Sequence, residues 1–146
     1  MRQPAKPARR LGVIPVLVLS ALTLAPLGCG SSSSMNPVKG EIFVNGQPAA
    51  GAEVVFYPIN PGEKKYFPAA TVEPDGSFRL TTIRADDGAP EGEYRISVLW
   101  CDTRREEGET LYSPDKLNYR YYDPAYSGLT ATIKPGINEL PRFNLE

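Results

Sequence analysis

Few side chains in this sequence can do chemistry, and the most informative fact about them is a gap. There is no histidine, which removes the commonest general base and the commonest metal ligand together. Two cysteines, Cys29 and Cys101, supply the thiols. Cys101 follows Trp100 at the end of an apolar run, a setting in which cysteine behaves as a small buried hydrophobe, and a nucleophilic role would need a base beside it. Asp86, Asp87, Glu91 and Glu93 offer hard oxygens of the kind calcium takes. Their spacing matches no EF-hand loop, and acidic loops of this kind are ordinarily solvated, so no metal and no other cofactor is expected. No carboxylate pair marks a glycoside hydrolase. What remains is tyrosine: Tyr112, Tyr119, Tyr121, Tyr122 and Tyr126 lie close together in one stretch of chain. Tyrosine gives rigid, amphipathic contact area at low entropic cost, which suits recognition of a sugar or a protein. Tyr112, Tyr119, Tyr121 and Tyr126 are therefore the candidate ligand surface. The competing reading packs Tyr122 and Tyr119 against the edge of the fold and leaves the others covering their own loop.

The elements that must position these tyrosines read as short strands. Val38, Gly40, Ile42 and Val44 alternate with Lys39, Glu41 and Phe43, and Asn45-Gly46 ends that strand as a turn pair. Ala52 to Tyr57 is a second strand, stopped by Pro58. Phe67 to Val72 and Ser77 to Thr82 flank Asp75-Gly76 and predict a hairpin. Glu93 to Trp100 is the longest clean alternation, with Tyr94, Ile96, Val98 and Trp100 on one side. A long connection, Cys101 to Ser127, carries the tyrosines, and Leu129 to Ile133 with Asn138 to Leu145 predicts a final hairpin. The chain is rich in Pro and Gly, 15 and 13 residues, as many strands and tight turns require. The expected architecture is all-β, a seven-stranded Greek-key β-sandwich over residues 37–146.

Ahead of that domain the composition changes. Arg2, Lys6, Arg9 and Arg10 are the only charged side chains before residue 29, and residues 11–27 form an uncharged, mostly apolar run. A basic start followed by such a run is the order of a secretory signal, shorter than the roughly 20 residues of a spanning helix. Four of the 16 basic residues lie in this segment, which leaves 12 against 17 acidic ones, a net charge of about −5 beyond it. Phosphate neutralisation supplies most nucleic-acid affinity, so an acidic domain with no basic stripe is not expected to bind nucleic acid.

Leu27-Gly28-Cys29-Gly30, followed by Ser31 to Ser34, resembles the lipobox of bacterial lipoproteins, with Pro26 where that pattern usually carries Leu. The resemblance implies cleavage between Gly28 and Cys29 and acylation of Cys29. Several acyl chains give the persistent membrane anchoring that a single chain does not. It divides the chain into a signal peptide over 1–28, a lipidated cysteine and serine-rich tether over 29–36, and the domain. Were Cys29 not acylated, it would be free to pair with Cys101.

Further along, Val38-Lys39-Gly40, Asn45-Gly46-Gln47-Pro48 and Gly51-Ala52-Glu53-Val54 resemble the opening of carboxypeptidase regulatory-like and transthyretin-like (prealbumin-like) β-sandwich domains. Thr71 to Leu80 and Gly92-Glu93-Tyr94-Arg95-Ile96 resemble later strands of the same family. Asp87-Gly88-Ala89-Pro90 and Ser127-Gly128-Leu129-Thr130 resemble a subgroup of small bacterial lipoproteins. The family's hydroxyisourate hydrolases use histidines and a C-terminal Tyr-Arg-Gly-Ser, whereas this chain ends Arg142-Phe143-Asn144-Leu145-Glu146. A Lys-to-Asn isopeptide bond between Lys39 and Asn144, assisted by Glu53 or Glu93, is disfavoured because alternation turns Lys39 outward. The lipobox and sandwich resemblances, with the lack of catalytic groups, together imply a non-catalytic envelope lipoprotein, anchored to a membrane and facing the periplasm or cell surface, with a structural or binding sandwich. Two narrower roles stand beside it: a module binding a glycan or other ligand through exposed tyrosines, and an accessory subunit that docks on an envelope enzyme or transporter.

Overall fold

The computed structural model of the protein describes residues 34–62 and 65–146. Gly28, Cys29 and the signal segment lie outside the described residues. Among the described residues there is no helix, and so none long and apolar enough to cross a membrane. The chain is all-β, built of eleven strands where the sequence pattern predicts seven: β1 Val38–Val44, β2 Gln47–Pro48, β3 Glu53–Pro58, β4 Ala69–Thr71, β5 Ser77–Arg79, β6 Gly92–Leu99, β7 Thr103–Glu106, β8 Glu109–Tyr112, β9 Thr130–Ile133, β10 Asn138–Glu139 and β11 Phe143–Leu145.

Strand β1 runs over the residues its alternation marks, burying Val38, Gly40 and Ile42. Asn45 and Gly46 both take positive φ, 49° and 80°, which matches the twist of a two-residue hairpin and pairs Val44 with Gln47. Gly40 is required for a different reason: a Cβ there would sit 2.6 Å from the ring of Phe78.

Two sheets share the core. One is wholly antiparallel, in the order β4-β3-β6-β9. The other is gathered around β1. On one edge the carbonyls of Pro37 and Lys39 accept from Asn138 and Leu140, and the amide of Asn45 donates to Leu145, so β10 and then β11 run parallel to β1. On the other edge Val38 accepts from Leu80, Ile42 donates to Gly76, and Ile42 accepts from Ala49, placing β5 and β2 antiparallel. Between the sheets Ile42, Val54, Phe56, Phe78, Leu80, Ile96 and Val98 are fully buried, with the Phe56 ring 6.3 Å from Phe78 and 5.9 Å from Tyr94. Burying each such side chain stabilises the fold by roughly 1.5–3 kcal/mol. The phenol of Tyr94 donates to the Pro90 carbonyl at 2.9 Å.

Both predicted hairpins differ from expectation. The chain does reverse at Asp75-Gly76, where Asp75 Oδ1 accepts from the Ser77 amide, and the reversal is closed by Glu73 donating to Ser77 and by a reciprocal pair, Ala69 with Thr81. Between those two closures, however, β4 bonds to β3 and β5 bonds to β1, so the hairpin turns the corner from one sheet into the other. The final segment makes no hairpin at all: β9 joins β6 while β10 and β11 join β1. The Asn138 amide donates to the carbonyls of Lys134 and Gly136, and its oxygen accepts from the Lys134 amide. That cluster closes a loop which carries the chain across the sandwich.

Candidate functional site

The long connection from Cys101 to Ser127 contains a hairpin that the sequence pattern does not predict, β7 against β8, reversing at Glu107-Gly108 with φ of 51° and 89°. Tyr112 closes it and is 67% exposed, beside a surface hollow of 450 Å³ lined by Asp102, Thr103, Arg104, Leu111 and Ser113.

From Pro114 to Leu129 the chain has no strand, yet it is held to β6 and to Trp100 just past its end at three points. Trp100 C=O accepts from the Lys116 amide, Val98 N–H donates to the Tyr121 carbonyl, and Ile96 N–H donates to the Leu129 carbonyl. The segment therefore serves the free part of the β6 edge as an irregular strand would. Asp115, buried, organises its start: Oδ1 accepts from the Trp100 amide at 2.8 Å and Oδ2 from the Tyr119 amide at 2.7 Å. Ser127 closes its end, with Oγ donating to the Ile96 carbonyl at 2.6 Å. Leu117 and Tyr121 are the apolar anchors.

This staple forces an unusual backbone. Asn118 and Tyr119 take φ of 51° and 60°, the left-handed region, which costs a residue with a side chain about 1–2 kcal/mol. Asparagine tolerates that region; a bulky aromatic residue seldom occupies it. Tyr119 is thereby turned outward, 57% exposed, and meets the 58% exposed Tyr122 edge to face, with ring centroids 6.1 Å apart at 88°. Tyr126, in the turn closed by Asp123, is 85% exposed.

Of the four tyrosines predicted as a ligand surface, Tyr112, Tyr119 and Tyr126 are exposed. Tyr121 is a correction: at 8% exposure it belongs to the core. Its hydroxyl accepts from the Glu146 amide at 3.3 Å, and the Arg120 guanidinium lies 5.6 Å from its ring. Tyr122, read as a packing residue, is exposed in its place. The sequence reading also missed Asp115 and Ser127 as the residues that set the geometry. Ser113-Pro114-Asp115 carries the composition of a turn start, the one signal available.

Cys101, at the end of β6, is half-buried and free. Desolvation pushes its thiol up from the ordinary value, and the carboxylates of Asp115, Glu53 and Asp102 add to the shift. Its neighbour Trp100 donates through Nε1 to the Ala50 carbonyl at 2.9 Å, and the Lys116 ammonium lies 4.7 Å from the Trp100 ring centroid. The acidic loop is equally committed to structure. Asp87 Oδ1 accepts from the Thr82 amide, and Oδ2 from those of Ile83 and Arg84. Desolvation works against ionisation there, and the three amides outweigh it, holding the carboxyl below the ordinary range. Lys39 is turned outward, as alternation requires, and pairs with Glu139 at 2.8 Å.

No family model matches the chain, and no curated protein matches it. Among solved structures it aligns with a 9R-lipoxygenase from Cyanothece PCC8801, at 10% identity and a TM-score of 0.43, over 77% of this chain and 16% of that one. It aligns also with a candidate carbohydrate binding protein from Pseudomonas aeruginosa, at 13% identity and a TM-score of 0.42, over 77% of this chain and 89% of that one. The chain thus spans about a sixth of the lipoxygenase's length.

Proposed function

We propose that the protein is a non-catalytic envelope lipoprotein, anchored through acyl chains on Cys29, whose β-sandwich acts as a structural or binding module facing the periplasm or cell surface. The carrying observation is a juxtaposition: Gly28-Cys29 stands seven residues before Asn36, which makes the first backbone bridge of the domain, to Ala89. Seven residues reach at most about 25 Å, so an acylated Cys29 would keep the sandwich close to the bilayer surface. The seven-stranded Greek-key arrangement of transthyretin-like domains is part of the same proposal, with β1, β3, β4, β5, β6, β9 and the β10–β11 segment as its strands. Against catalysis weigh the absence of histidine from the sequence and a Cys101 thiol whose surroundings oppose ionisation.

Within that reading, the exposure of Tyr112, Tyr119, Tyr122 and Tyr126 favours a ligand-binding module over an accessory subunit. A docked subunit would want a contiguous apolar patch. On the outward side of the antiparallel sheet the half-buried Val55, Tyr57 and Leu99 are interrupted by exposed Glu53, Thr71, Glu93, Arg95, Thr130 and Thr132.

Intact mass and membrane fractionation of the full chain and of Cys29→Ala in a diderm host test the anchor. The expected result is a wild-type species beginning at Cys29 with added acyl mass, sedimenting with membranes, and a variant that lacks both. Unacylated wild-type protein in the soluble fraction would overturn the reading.

A further inference from the structure

We propose that Tyr119 and Tyr122 form a stacking platform for a pyranose ring of a glycan; this rests on the binding-module reading and narrows it to one site and one ligand class. The edge-to-face pair, at 6.1 Å and 88°, makes a corner of two aromatic surfaces, each more than half exposed. A tyrosine kept only for packing would be turned inward, and the same segment shows that it can do this, because Tyr121 is buried two residues after Tyr119. Tyr119 is instead directed outward by a left-handed backbone, φ 60°, that the buried Asp115 carboxylate pins through its amide at 2.7 Å. The fold thus tolerates a disfavoured conformation at the residue that carries the exposed ring.

The surroundings select the ligand. Next to the two rings in the chain stand the exposed polar residues Asn118, Arg120 and Asp123, of which the Arg120 guanidinium lies 5.6 Å from the Tyr121 ring and Asp123 Oδ1 accepts from the Ala125 amide. A pyranose has the complementary form, a C–H face for the ring and a rim of hydroxyls for the polar side chains. An extended peptide finds less here. Peptides commonly join a sheet edge through their main chain, but Val98 and Ile96 already donate to Tyr121 and Leu129, and Trp100 accepts from Lys116, so this edge of β6 is taken.

The test is saturation-transfer NMR on the full-length protein in detergent micelles, with cellohexaose, chitohexaose and an α-mannan hexasaccharide as separate probes, followed by titration of any that respond. The expected result is saturable binding of at least one probe, weakened tenfold or more in Tyr119→Gly and in Tyr122→Ala and unchanged in Ile137→Ala, which trims an apolar side chain that is 81% exposed and lies outside the tyrosine-bearing connection. Glycine removes the ring while accepting the left-handed backbone, so the melting midpoint of Tyr119→Gly should stay level or rise. A fall of several degrees in that midpoint would make the ring a packing element and overturn the proposal. Binding unchanged in both platform variants would also overturn it, as would saturable binding of a proline-rich decapeptide with none of the sugars. Lack of sugar binding by a chain that carries acyl mass at Cys29 would overturn this proposal alone and leave the tethered module standing.

Discussion

Between Cys101 and Ser113 the long connection folds as a regular two-stranded ladder, β7 against β8, and every residue of both strands is exposed. Between Pro114 and Ser127 it has no strand, yet it buries Asp115, Leu117, Tyr121 and Ser127. Regularity and anchorage have come apart. A two-stranded ladder needs only its own backbone bonds and a turn with positive φ, so it forms without touching the core, and isolated hairpins of this kind are marginally stable. The irregular half gives up repeating bonds for three contacts with β6 and two apolar anchors. Tyr112 rides on the first half and Tyr119, Tyr122 and Tyr126 on the second, so the two groups of exposed rings differ in how firmly they are held.

Substitutions can break that contrast. Leu117→Ala should cost the most, about 3 kcal/mol of unfolding free energy, from lost burial and the cavity left behind; denaturant titration reads it, and a loss under about 1 kcal/mol would mean that the segment is not anchored. Asp115→Ala strands the amides of Trp100 and Tyr119, and the expected cost is about 2 kcal/mol. The same variant should raise hydrogen exchange at Tyr119 while sparing the β3 amides. Ser127→Ala removes the bond its Oγ donates to Ile96 and the longer one it accepts from the Leu129 amide, and should cost about 1 kcal/mol. Leu111→Ala, on β8, should change stability by less than about 0.5 kcal/mol, and a larger loss would show the hairpin packed against something.

Cys101, at the junction of β6 with the hairpin, sharpens the comparison without touching stability. Because its thiol is raised above the ordinary 9.0, the neutral form dominates at and below that pH. Alkylation by iodoacetamide, which follows the thiolate, should run slower than for a free cysteine at pH 8 and keep rising above pH 9. A rate that levels off below pH 9 would contradict the desolvated, carboxylate-flanked setting.

How much of this is legible in the sequence depends on the range of the interaction. The bounds of β1 and the reversals at Asn45-Gly46 and Asp75-Gly76 are local, written in a period of two and in residues that accept positive φ, and they read off directly. Alternation states which face a side chain takes and says nothing about the neighbouring strand. That is why Phe67–Val72 with Ser77–Thr82, and Leu129–Ile133 with Asn138–Leu145, read as hairpins although their strands bond elsewhere. The tyrosines are harder still. In a run of turns there is no parity to separate Tyr121 from Tyr122, and the choice is made by partners far along the chain, among them the amides of Glu146 and Val98.

The parallel pairing of β1 with β10 and β11 has a mechanical consequence. The chain enters β1 at Val38, and β11 ends at Leu145 beside Val44, so a pull between the N-terminal side and Glu146 draws the two strands past each other along their length. The bonds from Asn138 to Pro37, from Leu140 to Lys39 and from Asn45 to Leu145 then take the load together, as the glue in a lap joint does. A hairpin pulled at its open end gives way one bond at a time. A load applied between the N-terminal side of β1 and Glu146 therefore meets the domain in its stiffer direction.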